Sequence, residues 1–198
     1  MNERPGPDIM LIEITPEGYD LDLDLRYATV DNIAGRPIYG RAACFLHMDA
    51  AALLGRAVAL ARPLGLRLCV FDGFRPAEAQ WKLWDAYPDP EFLADPRRGS
   101  PHSMGAAVDL TLVDAVTGTP LDMGTGFDDM RPESHHGSLD VSAEAQRNRL
   151  LLLGLMTAAD WDFYRNEWWH YQLFKPRGRY PVLSDTAAGT RLMPERPA

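Results

Sequence analysis

The chain has 198 residues, with 20 Lys plus Arg against 28 Asp plus Glu and a formal net charge of -8. That length lets one domain bury its core without disulfide staples, and an acidic balance with no basic block excludes a binder of the phosphate backbone, so no nucleic-acid partner is expected. Cys44 and Cys69 fit no CxxC spacing; they are expected to pack as small, inert hydrophobes, and no oxidising compartment is implied.

In chain order, the opening stretch MNERPGPDIMLIEI lacks a cationic segment followed by an apolar run of signal length, because Glu13 interrupts IMLI. This predicts a cytoplasmic protein. Residues 1 to 8 and roughly 176 to 198, rich in Pro and Gly, are expected to be poorly ordered or draped over the surface. DAAALLGRAVALARPLG predicts a helix with Asp49 as N-cap and Gly65 as its stop, since a short acidic side chain satisfies free amides at a helix start and glycine accepts the left-handed exit. LRLCVFDGF reads as a strand, and PAEAQWKLWDAY as a second helix with Pro76 at its first position. AAVDLTLVD reads as a strand ending at the turn TGTP, with Asp109 on the same face as Ala107 and Thr111. SAEAQRNRLLLLGLMTAA, capped by Ser142, predicts a third helix, followed by the aromatic strand DFYRNEWWHYQLF. The apolar run from Leu150 to Met156 is too short to span a bilayer, so no membrane partner is expected. Long helix-free stretches between strands predict an α+β fold: a single domain over residues 1 to 198 with a central, mainly antiparallel sheet flanked by helices.

Asp109 raises the chemical question, because an ionised carboxylate inside an apolar run needs a partner. His102 lies seven positions upstream with Gly105 between, so the backbone can turn and bring the imidazole back. His170 sits in the aromatic strand. Two histidines and an aspartate are ligands of the kind Zn²⁺ takes in catalytic sites, with a fourth position left for water. A turn at RNE brings Glu167 back over such a site, where a carboxylate can take a proton from water and deliver it to a leaving amine. Arg75, in FDGFRP at a strand-to-helix turn, can meet the oxyanion of an amide under attack. Each residue alone also has a plainer reading. His102 fits a surface turn, His170 a hydrogen-bonded core position, Arg75 a surface ion pair with Asp72, Asp109 a turn cap, and Glu167 a solvated position. The conjunction, a glycine-hinged His-x6-Asp followed far downstream by Glu-x2-His, is what favours a site. Trp81 and Trp84 are read as core, and His135 and His136 as shaping a turn or supporting a ligand.

These residues carry a resemblance. SPHSMGAAVDLTL resembles the SxHxxGxAxD motif, and EWWHY the ExxH motif, of the zinc D-alanyl-D-alanine peptidases, which include the D-Ala-D-Ala dipeptidases of vancomycin resistance. LRYAT, FDGFRP, MGTGFDDM, SHH and EWWHYQL look like the dipeptidase branch, in order over about residues 20 to 174. The resemblance implies an α+β metallopeptidase fold and one Zn²⁺ per chain on His102, Asp109 and His170. It also implies Glu167 as general base and acid, Arg75 stabilising the transition state, and the dipeptide D-Ala-D-Ala as substrate. Tyr27, Ser100 and Asp128 fall on positions that in the family help hold that dipeptide; Asp128 suits the ammonium, and a hydroxyl such as Ser100 or Tyr27 the carboxylate. The rivals are a carboxypeptidase or endopeptidase acting on peptidoglycan stems, and a zinc-stabilised binding protein without activity. The segment Asp85 to Gly99 matches no motif.

Overall fold

The computed structural model describes residues 10–195, so the expected tail at residues 1 to 8 lies outside the described residues. In chain order the elements are β1 (Leu11–Ile14), α1 (Pro16–Tyr19), β2 (Asp22–Leu23), β3 (Cys44–His47), α2 (Met48–Ala61) and β4 (Leu66–Asp72). They continue with α3 (Ala77–Ala86), β5 (Ala107–Asp114), α4 (Ala143–Ala158), β6 (Asp162–Phe163), β7 (His170–Gln172) and α5 (Asp185–Ala188). Five strands form one sheet in the order β2-β4-β5-β7-β6, in which only β2 and β4 run parallel. β1 and β3 make a separate antiparallel pair. The mixed architecture with a mainly antiparallel sheet is the one expected, and among the described residues no helix is long and apolar enough to cross a membrane.

β5 is central and its two faces do different work. Val108, Leu110 and Leu112 join the main apolar core, while Asp109 and Thr111, buried on the opposite face, do not. That follows from the two-residue period of a strand. α2 covers the core side with Ala50, Ala51, Leu54, Ala57, Val58 and Ala61, a helical stripe of mostly small residues that lets helix and sheet approach closely. α4 adds Leu152, Leu155 and Met156, and its start is capped as expected, with the Ser142 hydroxyl accepting from Ala145 N at 3.0 Å. A second apolar cluster, with Tyr27, Ile38, Phe74, Leu83, Leu93, Leu183 and Leu192, lies behind the loops that border β4.

Several local expectations are corrected. The N-cap of α2 is His47, whose Nδ1 accepts from Asp49 N at 3.2 Å; Asp49 lies in the first turn instead, where a negative charge meets the helix dipole. Gly65 does end the segment, at φ 70° after a short 3-10 turn. α3 starts at Ala77, with Pro76 as the flanking residue. Its inward face is Ala79, Gln80 and Leu83, so Trp84 borders the second cluster while Trp81, about 200° around the helix from Ala79, is 45% exposed and not core. The aromatic stretch expected as one strand is split into β6 and β7 by a turn. Residues 176–195 are anchored: Leu183 and Leu192 are buried, and Leu183 N donates to Ser103 O at 2.8 Å. Cys44 and Cys69 are buried free thiols whose ionisation burial pushes well upward, in keeping with an inert role.

Candidate metal centre and substrate pocket

The partners of Asp109 are set by strand register. β5 pairs with β4 and β7 so that Asp109 lies opposite Asp72 on one side and His170 on the other. His102 arrives from a 3-10 turn, His102–Met104, that Gly105 ends at φ 66°. A side chain at Gly105 would be strained by that φ and would place Cβ 2.9 Å from His47 N, so the hinge requires glycine. His102 Nδ1 donates to Gly73 O at 2.8 Å. That approach also depends on a bare backbone, because a Cβ on Gly73 would lie 2.8 Å from both Cys44 Sγ and Phe45 O.

Since a backbone carbonyl can only accept, Nδ1 of His102 carries the hydrogen and Nε2 presents its lone pair inward. On His170 the roles are reversed: Nε2 donates to Gln172 Oε1 at 3.2 Å and Nδ1 faces inward. His102 Nε2 lies 3.1 Å from His170 Nδ1 and 3.3 Å from Asp109 Oδ1, and His170 Nδ1 lies 3.0 Å from Asp109 Oδ1. Two lone pairs and a carboxylate oxygen thus converge, an arrangement that repels itself unless a cation sits among them. These three residues are the one group among the described residues whose ligand atoms meet the spacing for a metal ion. Burial opposes ionisation of Asp109; positive charge on His102 and His170, whose place a bound cation would take, holds its carboxyl below the usual range.

Arg75 was read alternatively as half of a surface pair with Asp72; the pair forms, but it is buried. Arg75 Nε donates to Asp72 Oδ2 at 2.9 Å, Nη1 to Gln80 Oε1 at 3.1 Å, and Nη2 reaches Asp109 Oδ2 at 3.4 Å. Its guanidinium also lies over the Tyr27 ring at 4.7 Å. Glu167 sits in the turn before β7 with a carboxylate oxygen 3.8 Å from His170 Nδ1. Burial first, then the charges of Asp109 and Asp128, raise its carboxyl well above the ordinary range against the pull of Arg75. Asp128, at φ 59° in the loop after β5, accepts from Tyr27 Oη at 3.1 Å and Ile33 N at 2.9 Å. Burial pushes it up to about 7.

Tyr27, Arg75, Ser100, His102, Asp109, Asp128, Glu167 and His170 all line one cavity of about 210 Å³. No expected site residue is left outside it. Tyr27 is turned to the Asp128 side, its hydroxyl given to that carboxylate. Sequence reasoning missed Gln172 and the wall formed by Pro90 to Asp95, and Gln80, which holds Arg75 from behind the cavity lining. Gln172 was findable, because it lies two residues from His170 and so on the same strand face; Gln80 and the wall carry no such signal. His136 is half-buried against Phe163 and Tyr171, and burial, then the charges of Arg149 and His170, lower it to about 4; it borders the ligand set without joining it.

An α+β fold that buries two histidines and an aspartate with converging ligand atoms, beside a buried glutamate in a small cavity, defines a hydrolase of the metallopeptidase class. A family model described as D-ala-D-ala dipeptidase matches residues 10–182, and the chain belongs to that family. It is 46% identical over 166 residues to the D-alanyl-D-alanine dipeptidase of Escherichia coli K12, covering 84% of this chain and 85% of the relative. Proteins of the same name from Streptomyces coelicolor and Enterococcus faecalis are 38% and 33% identical over 170 residues, each covering 76% of this chain and 84% of the relative.

Proposed function

We propose that this chain hydrolyses D-alanyl-D-alanine to two D-alanines, with one Zn²⁺ held by His102, Asp109 and His170. The observation that carries the reading is the spacing of the ligand atoms. Their separations of 3.1, 3.3 and 3.0 Å lie close to the edge of about 3.3 Å of a tetrahedron with zinc-to-nitrogen bonds of about 2.0–2.1 Å. The outward nitrogens of both rings are spent on Gly73 O and Gln172 Oε1, which orients the rings as metal-bound histidines require. When bound, zinc polarises the scissile carbonyl and lowers the pKa of water at its open position.

The chain's own groups do the rest. Glu167 takes a proton from the attacking water and gives it to the leaving amine, a role suited to a carboxyl whose proton affinity burial has raised. Arg75, held in place by Asp72 and Gln80, offers its guanidinium to the oxygen that gains charge. Asp128, braced by Tyr27, meets the substrate ammonium, and Ser100 stands at the carboxylate end.

The substrate follows from size and charge. A cavity of about 210 Å³ falls below the roughly 300–1,000 Å³ of sites for drug-sized ligands, and the wall Pro90 to Asp95 bounds it, which suits a dipeptide over a peptidoglycan stem. The activity named for the relatives points the same way. A retired scaffold would not need Glu167 and Arg75, and both are in place. The deciding experiment measures D-alanine release from D-Ala-D-Ala against a pentapeptide stem, with zinc content for wild type, His102→Ala and His170→Ala. We expect release from the dipeptide alone and zinc lost from both variants. Equal cleavage of the stem would overturn the substrate, and full zinc in both variants would overturn the ligand set.

A further inference from the structure

We propose that Arg98 and Arg177 form the subsite that takes the substrate carboxylate, with Ser100 between them, and so set the requirement for a free C-terminus. The inference rests on the dipeptidase reading of the cavity. A dipeptide enters as a zwitterion, and a small cavity that holds it in one orientation must supply a partner for each charge. Asp128 serves the ammonium. Nothing assigned so far supplies a cation for the carboxylate.

Three arginines line the cavity: Arg75, Arg98 and Arg177. Arg75 is already assigned to the oxyanion, and its Nε, Nη1 and Nη2 each hold a fixed partner, Asp72, Gln80 and Asp109, so only the remaining Nη hydrogens reach the reacting oxygen. Tyr27 is excluded as well, its hydroxyl being donated to Asp128. Arg98 and Arg177 have no ion-pair partner among the described residues. Arg177 makes one hydrogen bond, from Nε to Gly99 O at 3.1 Å, which leaves both terminal nitrogens of its fork free.

That bond fixes where the two guanidiniums stand. Arg98 ends the 3-10 turn Pro96–Arg98, and Arg177 is anchored on the next residue, so both flank Ser100. Ser100 Oγ accepts from His102 N at 3.2 Å, which leaves its own O–H to donate. A hydroxyl and two free guanidinium forks therefore lie on the approach to the ligand His102. The two cations also feel each other: partial burial, then the charge of Arg98, lowers the Arg177 guanidinium from its ordinary pKa. The nearby carboxylate of Asp95 feels Arg98 but is already paired with Arg97, so two like charges held side by side are relieved by an incoming anion, and a planar fork matches a carboxylate with two parallel bonds.

The test compares D-Ala-D-Ala with its C-terminal amide in wild type, Arg98→Ala, Arg177→Ala and the double variant, following initial D-alanine release. Both side chains are solvent-exposed, so folding is not at stake; melting temperature and zinc content verify this, and Arg179→Ala, outside the cavity, serves as control. We expect each single variant to raise KM for the free dipeptide about tenfold with little change in kcat, as for loss of a charge-assisted hydrogen bond. The double variant should lose most of the wild-type preference for the acid over the amide. A double variant that keeps the full preference overturns the inference while leaving the dipeptidase reading intact. A wild type that releases D-alanine from neither compound overturns the reading itself, and the inference with it.

Discussion

The strands that carry the ligand set and the loops that wall the cavity are built on different principles. Asp109 and His170 are placed by ladder hydrogen bonds across β5 and β7, and the ligands, Asp72 and Arg75 are all buried. The wall is held by single side-chain bonds to its backbone: Gln80 Nε2 on α3 to Ala94 O at 2.7 Å and Tyr164 Oη to Glu91 O at 2.6 Å. Chemistry that tolerates little displacement sits on the sheet and on the buried turns at its strand ends that carry Arg75, His102 and Glu167, and recognition sits on segments that can change without disturbing it. The comparison predicts large effects in turnover from the first region and smaller effects in affinity from the second.

The largest effect is expected at Glu167. Glu167→Gln keeps the shape but cannot take a proton, so turnover should fall by about 10²- to 10⁴-fold while zinc stays bound. Normal turnover with zinc in place would remove Glu167 from the mechanism. Arg75→Ala comes next, with turnover lowered about 10²- to 10³-fold as for loss of an oxyanion donor. Because it strips Asp72 of a buried partner, it should also cost stability, about 3–5 kcal/mol. A fall in melting temperature with unchanged turnover would make Arg75 a structural residue only.

The smallest effect, and the one that tests the loop region, concerns Asp128. Its carboxyl is raised to about 7 in the fold against about 3.9 in an unfolded chain. The fold therefore binds the proton more tightly, so this group's contribution to stability is present below about pH 4 and is lost as pH rises toward 7. Asp128→Asn should raise thermal stability above pH 7, by at most about 2 kcal/mol once weakened bonds to Tyr27 and Ile33 are allowed for. The same change should raise KM for D-Ala-D-Ala about 10- to 100-fold and erase discrimination against the N-acetyl dipeptide. In wild type, kcat/KM should decline as pH falls through about 7, because the ammonium then meets a neutral acid. A pH profile flat across that range, together with an unaltered preference for the free amine in Asp128→Asn, would detach Asp128 from substrate recognition.

How much was legible follows the same division. His102, Asp109, Glu167 and His170 could be read because types and spacings were constrained by a glycine hinge and a strand period. The aromatic stretch was legible in part: the polar RNE marked the turn that delivers Glu167, but nothing local showed that Asp162–Phe163 before it and His170–Gln172 after it are separate strands paired antiparallel. Trp81 was misread because apolar side chains at helical spacing do not say which face meets the core.

By itself, the sequence determined the α+β class, the helices at α2, α3 and α4, and the residue types of a metal centre, because these depend on periodicity and local chemistry. Only the tertiary structure decided that the Asp72–Arg75 pair is buried, that Gly73 and Gln172 fix the histidine rings, and that Arg98 and Arg177 stand together beside Ser100 with no ion-pair partner among the described residues. Gly73 with His102 and Arg177 with Gly99 join segments far apart in the chain, and the burial of the local pairs Asp72–Arg75 and His170–Gln172 is set by the elements packed around them; no local pattern encodes either.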